Sequence, residues 1–374
     1  PRPSRKADVA QLAEQLNRNQ QVAGSSPAVG STLISTRTAT WIDFGPTVRD
    51  TAHIRVDGAV AASPPRPWSW YSVRITRAVV PAAGRGTRLY PITKAQPKEM
   101  LPLGTRPVIQ SVAEELTGAG VTDILLITAE SKRVIEDHFD PSSGLTYAEA
   151  PAEGRRYAFP TDSARIYTIR QGGALGLGHA VACGAQFVGD EHFVVALGDC
   201  IMTGPEPLQR LVKAHLRHRA DLSIIVQQVG REGTKRYGIV ATGERLDETA
   251  LRMTDIVEKP GPDVAPGRLA VAARYIFSPA LFGYLSDVTA GLGGEIQLTD
   301  AIHAMLADGL KGVAVPLMPG EHRLDVGNVA SYGRAFIRMM LTDADQGEAL
   351  QSYAAKLLAH INEGTPDPDL PSDL

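Results

Sequence analysis

The chain has 374 residues, 43% of them hydrophobic and 21% charged, enough for one large or two modest cores in an ordinary globular protein. A formal net charge of −3 gives no electrostatic reason to bind nucleic acid, and no apolar run approaches the roughly 20 residues that span a bilayer, so neither a nucleic-acid nor a membrane partner is expected. The two cysteines, Cys183 and Cys200, form no metal-type cluster and read as small buried hydrophobes in a reduced, cytoplasmic protein.

Residues 1–72 differ from the rest: they are rich in Ser, Ala, Arg and Pro, hold all three tryptophans (Trp41, Trp68, Trp70) and include Pro64-Pro65-Arg66-Pro67. Such a stretch is expected to be a disordered extension or linker. It is no signal peptide, because no apolar segment follows its basic start. Val9, Leu12 and Leu16 have the spacing of a short helix from about Asp8 to Asn19. The same segment, running on to Gly24-Ser25-Ser26-Pro27, also resembles a tRNA gene read as protein: one codon choice for that tetrapeptide contains the GTTCGA core of a T-arm. On that reading translation begins near Val73.

From Ile75 onward strand-like and helix-like segments alternate, which predicts an α/β protein with a Rossmann-like, mostly parallel mixed sheet and helices on both faces. Ala78–Ala82 is the first predicted strand, and it runs into Gly84-Arg85-Gly86-Thr87-Arg88. Small residues after a strand let the backbone N–H groups of Ala82, Ala83, Gly84, Gly86 and Thr87 approach phosphate oxygens, while Arg88 and Lys98 add fixed positive charge. A Gly-x-Gly-Thr loop alone suits an ordinary turn equally well. It is neither a dinucleotide fingerprint nor a Walker loop, since Arg88-Leu89 stands where the third glycine belongs and no lysine follows the second.

Next come a helix at Pro107–Thr117, a strand at Asp123–Thr128, a helix at Lys132–His138 and a strand at Arg165–Arg170. The run Gln171–Val181 is glycine-rich, a plain connection into a helix at Gly178–Phe187 or a surface on which a base and ribose can lie. The planar amide of Gln171 would suit the imide edge of uracil. The strand Phe193–Leu197 then ends in Gly198-Asp199. A carboxylate at the mouth of a buried strand either caps the next helix or meets a cation, and Mg²⁺ takes one or two carboxylates with phosphate oxygens and water. Both the Gly84 loop and Asp199 lie at carboxyl ends of strands, where such sheets bind nucleotides.

Tyr237–Val240 and Asp255–Pro260 are read as strand ends, with Glu258 as a hydroxyl acceptor and Lys259 as a phosphate-directed cation, or as a solvated turn. Asp325, in the loop His322–Asn328, reads on its own as an Asx turn before Gly327-Asn328. The catalytic unit is expected to span 73–345, with a C-terminal helix and tail over 346–374.

Several of these stretches, in this order from about Ile75 to Met340, resemble the sugar-1-phosphate nucleotidyltransferase family, and Lys94-Ala-Gln-Pro-Lys-Glu-Met-Leu-Pro102 resembles its bacterial UTP–glucose-1-phosphate uridylyltransferases. The resemblance implies the nucleotide-diphospho-sugar transferase type of fold, UTP and glucose 1-phosphate as substrates, Mg²⁺ as cofactor and a homo-oligomer. It implies Arg88 on the pyrophosphate, Lys98 on the α-phosphate and Asp199 on the metal, with Asp325 completing the metal shell. Gln171 and Gly178 would hold the base. Gly238 and Glu258 would meet the sugar, and Lys259 its phosphate, through the Val257-Glu-Lys-Pro260 motif. Gly294–Ile302 resembles a helix-opening motif and is read as architectural; His179 is read as structural. Two positions depart: Leu175 and His322 stand where these enzymes usually carry lysine. Arg88-Leu-Tyr-Pro-Ile-Thr93 looks more like the thymidylyl relatives, and the two departures also admit a catalytically weak regulatory paralogue.

Overall fold

The computed structural model describes residues 73–141, 163–288 and 294–364. The expectations for 1–72 and for the tail beyond residue 364 lie outside the described residues.

In chain order the strands are β1 Arg77–Pro81, β2 Pro102–Leu103, β3 Arg106–Pro107, β4 Asp123–Thr128, β5 Arg165–Arg170, β6 Phe193–Ala196, β7 Cys200–Thr203, β8 Leu222–Gln228, β9 Gly238–Arg245, β10 Leu251–Glu258, β11 Leu269–Phe277, β12 Gly312–Pro316 and β13 His322–Asp325. The helices are α1 Val108–Gly118, α2 Arg133–Phe139, α3 Leu177–Ala182, α4 Ala185–Val188, α5 Pro207–His218, α6 Leu281–Asp287, α7 Leu298–Ala307, α8 Val329–Leu341 and α9 Gly347–Glu363. Nine strands form one mixed sheet in the order β5-β4-β1-β6-β11-β8-β12-β10-β9. Parallel pairs join β5, β4, β1 and β6, and also β8 and β12; the antiparallel pairs gather around β11, β10 and β9.

The predicted strands β4 and β5 form over the expected residues. All six residues of β4 are buried, the signature of a parallel strand covered on both faces. Along β1 the side chains alternate between two cores. Ala78 and Val80 join the layer beneath α1, α2 and α5, whereas Val79 joins that beneath α3, α6 and α7. The predicted single helix at 178–187 is instead two short ones, α3 and α4, separated at Cys183-Gly184. Gly184 lies so near the sheet that a Cβ there would stand 2.7 Å from Val79 Cγ2.

Gly238 opens β9 where a strand end was expected over Tyr237–Val240, and His322–Asp325, expected as a loop, pairs as β13 with β7. A two-stranded ladder of four residue pairs, Cys200↔Asp325 among them, thus forms from segments far apart in sequence. Helix α8 begins at a capping box in which Asn328 and Ser331 satisfy each other's backbone N–H groups.

Beneath the sheet, the rings of His192 and His215 meet at 2.9 Å, and His215 Nδ1 lies 2.8 Å from Ser223 Oγ. Burial pushes His215 down to about 3, with His192 adding to the effect. The unfolded chain takes up a proton near pH 6.5 that the folded protein refuses, so this group's contribution is intact above that pH and is lost on acidification toward the folded value. Stability is expected to fall by about 1.4 kcal/mol per pH unit for each such proton below about pH 6, or about 2–4 °C of melting temperature per kcal/mol. Thermal melts of wild type and His215→Gln between pH 7.5 and 5 check this, because the slope should be shallower in the variant; equal slopes would exclude His215 as the source.

Candidate active site

The phosphate-type loop leaves β1 under tight control. Ala82 N–H donates to the Ile127 carbonyl at 2.8 Å, its own carbonyl accepts from Lys132, and its side chain is buried. Of the loop residues proposed for nucleotide contact, Ala82 is therefore engaged inside the protein and is absent from the cavity wall, which takes Pro81, Ala83 and Gly84. Gly86 adopts φ 66°, left-handed, and the Thr93 hydroxyl donates to its carbonyl at 2.8 Å. A short 3₁₀ turn follows, in which Leu89 is buried and Arg88 faces the site, its Nη2 3.4 Å from where a Cβ on Gly327 would stand.

Lys98 sits in the turn Lys98–Met100, and its ammonium donates to Asp199 Oδ2 at 2.5 Å; the side chains are 14% and 20% exposed. The same ammonium lies 3.6 Å from the point where a Cβ on Gly84 would be. Loop, lysine and carboxylate thus meet. Burial works against the Asp199 charge, but Lys98 outweighs it and holds the carboxyl below its usual range. Burial likewise opposes the Lys98 charge, and the carboxylates of Asp199 and Glu99 keep its affinity for the proton above normal. Asp199 caps no helix, since the next one starts only at Pro207.

The ladder of β7 and β13 brings Asp325 beside this pair, and the Val326 N–H donates to the Asp199 carbonyl at 3.1 Å. Burial, reinforced by the Asp199 charge, raises the Asp325 carboxyl above its ordinary value against the pull of Arg323, the Gly327 N–H and Arg88. The Asx-type contact to Gly327 and the site-facing carboxylate therefore coexist. Two neighbouring carboxylates, one destabilised by the other, fit a hard divalent cation. Among the described residues no group of three or more His, Cys, Asp or Glu could hold a metal ion unaided, so further oxygen ligands would have to come from phosphate and water.

Two cavities adjoin here. One of about 610 Å³ is walled by Gly84, Gly86, Thr87, Lys98, Gln171 and Asp199. The other, about 520 Å³, is walled by Tyr237, Gly238, Glu258, Lys259, Arg323 and Asp325. Arg88, Leu177, Leu197 and Asp199 line both and form the threshold.

In the first cavity Gln171 Nε2 donates to the Gly176 carbonyl at 3.2 Å and to His179 Nδ1 at 3.0 Å. Both amide hydrogens are used, which leaves Oε1 as an acceptor. His179, read from sequence as structural, is thus the group that orients Gln171. Gly178 is buried against the segment at Ile296, where a Cβ would come within 2.8 Å of Ile296 Cγ2, and its N–H donates to the Ile296 carbonyl at 2.8 Å. The structure brings Gly176, not Gly178, to the cavity wall.

In the second cavity a Cβ on Gly238 would stand 3.2 Å from Glu258 Oε2, so glycine is what allows that approach. Lys259 Nζ lies 2.7 Å from Glu258 Oε1, on a backbone with φ 45°. Because successive side chains of a strand point to opposite faces, Arg323 and Asp325 share the face turned to this cavity, and His322 does not line it. The Arg323 guanidinium stacks over Tyr237 at 4.4 Å. Sequence alone left open which cation of this segment, His322 or Arg323, if any, serves the phosphates; the register of β13 turns Arg323, not His322, to the second cavity. The Gly294–Ile302 segment, read as architectural, contributes Gln297 and Thr299 to the wall, and the buried Thr299 hydroxyl has no hydrogen-bond partner.

Comparison with known proteins gives a consistent result. Residues 77–340 match the model of the nucleotidyl transferase family. The chain is 43% identical over 288 residues to the UTP–glucose-1-phosphate uridylyltransferase YngB of Bacillus subtilis, covering 75% of this chain and 94% of that protein. A second UTP–glucose-1-phosphate uridylyltransferase of B. subtilis is 38% identical over 294 residues, 76% of this chain and 98% of the relative. Among solved structures, the UTP-bound UGPase from Acinetobacter baumannii superposes with TM-score 0.65 at 31% identity, covering 76% of this chain and all of that one. A UDP-glucose pyrophosphorylase complexed with UDP-glucose superposes with TM-score 0.64 at 33% identity, covering 70% and 97%.

Proposed function

The chain belongs to the nucleotidyl transferase family, and on that premise we propose that it transfers a uridylyl group from UTP to glucose 1-phosphate, giving UDP-glucose and pyrophosphate. The observation that carries the reading is the convergence of the Gly84 loop, Lys98 and Asp199 with Gln171 on one cavity, next to a second that holds Gly238, Glu258 and Lys259.

An oxygen of glucose 1-phosphate attacks the α-phosphorus of UTP in line. That P–O bond forms as the bond from the α-phosphorus to the bridging oxygen breaks, and pyrophosphate departs with the electron pair. Nucleophile and leaving group are both anionic at neutral pH, so no proton has to be moved and no covalent enzyme intermediate is needed; positioning and charge neutralisation suffice. Arg88, on the threshold, holds the departing pyrophosphate, Lys98 the α-phosphate and Lys259 the incoming phosphate. Glu258 accepts from sugar hydroxyls and the Gly238 backbone lies against the ring. Asp199 and Asp325 would hold Mg²⁺, which when bound supplies charge neutralisation at the phosphates. Arg323 is a further cation on the sugar-phosphate side.

The Gln171 carbonyl can accept the N3–H of uracil, whereas cytosine presents an acceptor there and is refused. Gln171→Ala is expected to shrink the preference for UTP over CTP by about tenfold, the worth of one enclosed hydrogen bond. Rates with each nucleotide measure this, and an unchanged ratio would move base reading elsewhere. Thymine carries the same N3–H, so a wild type that uses dTTP as well as UTP would favour the thymidylyl alternative. The deciding experiment is a panel of nucleoside triphosphates with glucose 1-phosphate and Mg²⁺, scored for nucleotide sugar and pyrophosphate. Absence of product with every nucleotide would leave the regulatory paralogue as the reading.

The catalytic unit is proposed to span 73–345. A chain beginning at Val73 should turn over as the full chain does, because the residues assigned above all follow Ile75. Activity of the trimmed chain checks this, and an intact mass from the native source locates the first residue; a mass for all 374 residues would refute a start near Val73.

A further inference from the structure

We infer that the buried pair formed by Lys132 and Glu99 is a positioning device for the nucleotide phosphates, holding the Gly84 loop and Lys98 in mutual register. The inference rests on the uridylyltransferase reading only for the nucleotide used to test it.

Three separate segments meet at this pair. Lys132 Nζ donates to Glu99 Oε2 at 2.7 Å and also to the carbonyl of Ala82, residues 33 and 50 positions away in sequence. The two side chains are 5% and 2% exposed. Ala82 is the point where β1 gives way to the phosphate-type loop, so the ammonium anchors the loop at its root. Glu99 follows Lys98 within one 3₁₀ turn, so fixing the Glu99 carboxylate fixes the direction from which Lys98 reaches Asp199. A single ammonium therefore sets the distance between the loop and the lysine that serve one phosphate group.

Energetics argue for the same role. A buried ion pair is a poor source of stability, because well-packed apolar residues of similar volume do as well or better. Keeping one here makes sense where direction matters, since a methyl group cannot bind a carbonyl and a carboxylate along fixed lines. Charges also alternate through the cluster. Lys132, Glu99, Lys98 and Asp199 follow one another with alternating sign, paired at 2.7 Å and 2.5 Å at the two ends.

The test compares Lys132→Met, Lys132→Arg and Glu99→Gln with wild type in three readouts: the UTP dissociation constant by calorimetry, kcat, and KM for glucose 1-phosphate. Lys132→Met is expected to weaken UTP binding and lower kcat by about tenfold or more each, while KM for glucose 1-phosphate stays within about twofold; an ångström of misplacement is enough for such losses. Lys132→Arg, which can still reach both acceptors, should restore most of the loss. A purely structural role would lower melting temperature and active fraction but leave the UTP dissociation constant and the kcat of the folded protein unchanged, and that outcome overturns the inference. Should Lys132→Met not fold, Glu99→Gln decides, because at nearly constant volume it exchanges the charge-assisted bond from Lys132 for a weaker neutral one; UTP binding and kcat equal to wild type in that variant would overturn the inference equally. Wild-type nucleotide preference is read separately, and if another triphosphate is preferred the same ratios are taken with it, so the two readings fail in different measurements.

Discussion

Asp199→Asn is expected to abolish turnover while the protein stays folded. The carboxylate stands where three demands meet: it accepts from Lys98 at 2.5 Å, it lines both cavities, and its own carbonyl ties β13 to the end of β6 through Val326. The backbone tie survives the substitution, so the fold should too. What is lost is the negative charge that Lys98 meets and that, on the proposed function, a divalent cation would share. Removing one preorganised charge from such a site costs on the order of 10²–10³ in kcat, and the loss of a metal ligand adds to it, so a fall of about 10³-fold or more is anticipated. That corresponds to about 4 kcal/mol of transition-state stabilisation. The measurement is UDP-glucose formation against Mg²⁺ concentration, beside a thermal melt. A variant that keeps near-normal Mg²⁺-dependent synthesis would remove Asp199 from the chemistry.

Much of this site was legible in the sequence because its parts are local. The loop glycines, Lys98 and Asp199 each follow a buried strand or a proline-bounded turn, and the strand β4 declares itself by an unbroken apolar run. Where the sequence left a role open or unnoticed, the determinant lay far along the chain. Nothing around His322 announces that it will pair with Thr203, and without that pairing no alternation exists to say that Arg323 faces the site. His179 looks idle until the turn at Gly176 brings Gln171 back onto it. Lys132 and Glu99 are likewise unremarkable in their own segments and acquire a role only through a contact that crosses the layer beneath the loop. Ala82 and Gly178 show the converse: the pattern attracts attention to them, but hydrogen bonds to Ile127 and Ile296 commit their N–H groups inside the protein.

Lys98→Ala should lower kcat by about 10²–10³-fold, with Arg88→Ala following in the same direction by about 10²-fold, and neither should weaken glucose 1-phosphate binding to a comparable degree. Lys98 stands between the Gly84 loop and Asp199 on the first cavity, proposed for the nucleotide, whereas Glu258, Lys259 and Arg323 line the second, proposed for the sugar phosphate. In the proposed reaction its charge would act on the negative charge carried by the oxygens around the α-phosphorus, from a position only 14% exposed, where water screens it little. Arg88 lines both cavities and is less enclosed, which is why its loss should cost less. Steady-state kinetics with each substrate varied, paired with calorimetric titration of glucose 1-phosphate, separates the two contributions. If either variant lost only sugar-phosphate affinity and kept its kcat, the cation concerned would belong to the incoming phosphate, and the assignment of the two cavities to nucleotide and sugar would have to be reversed.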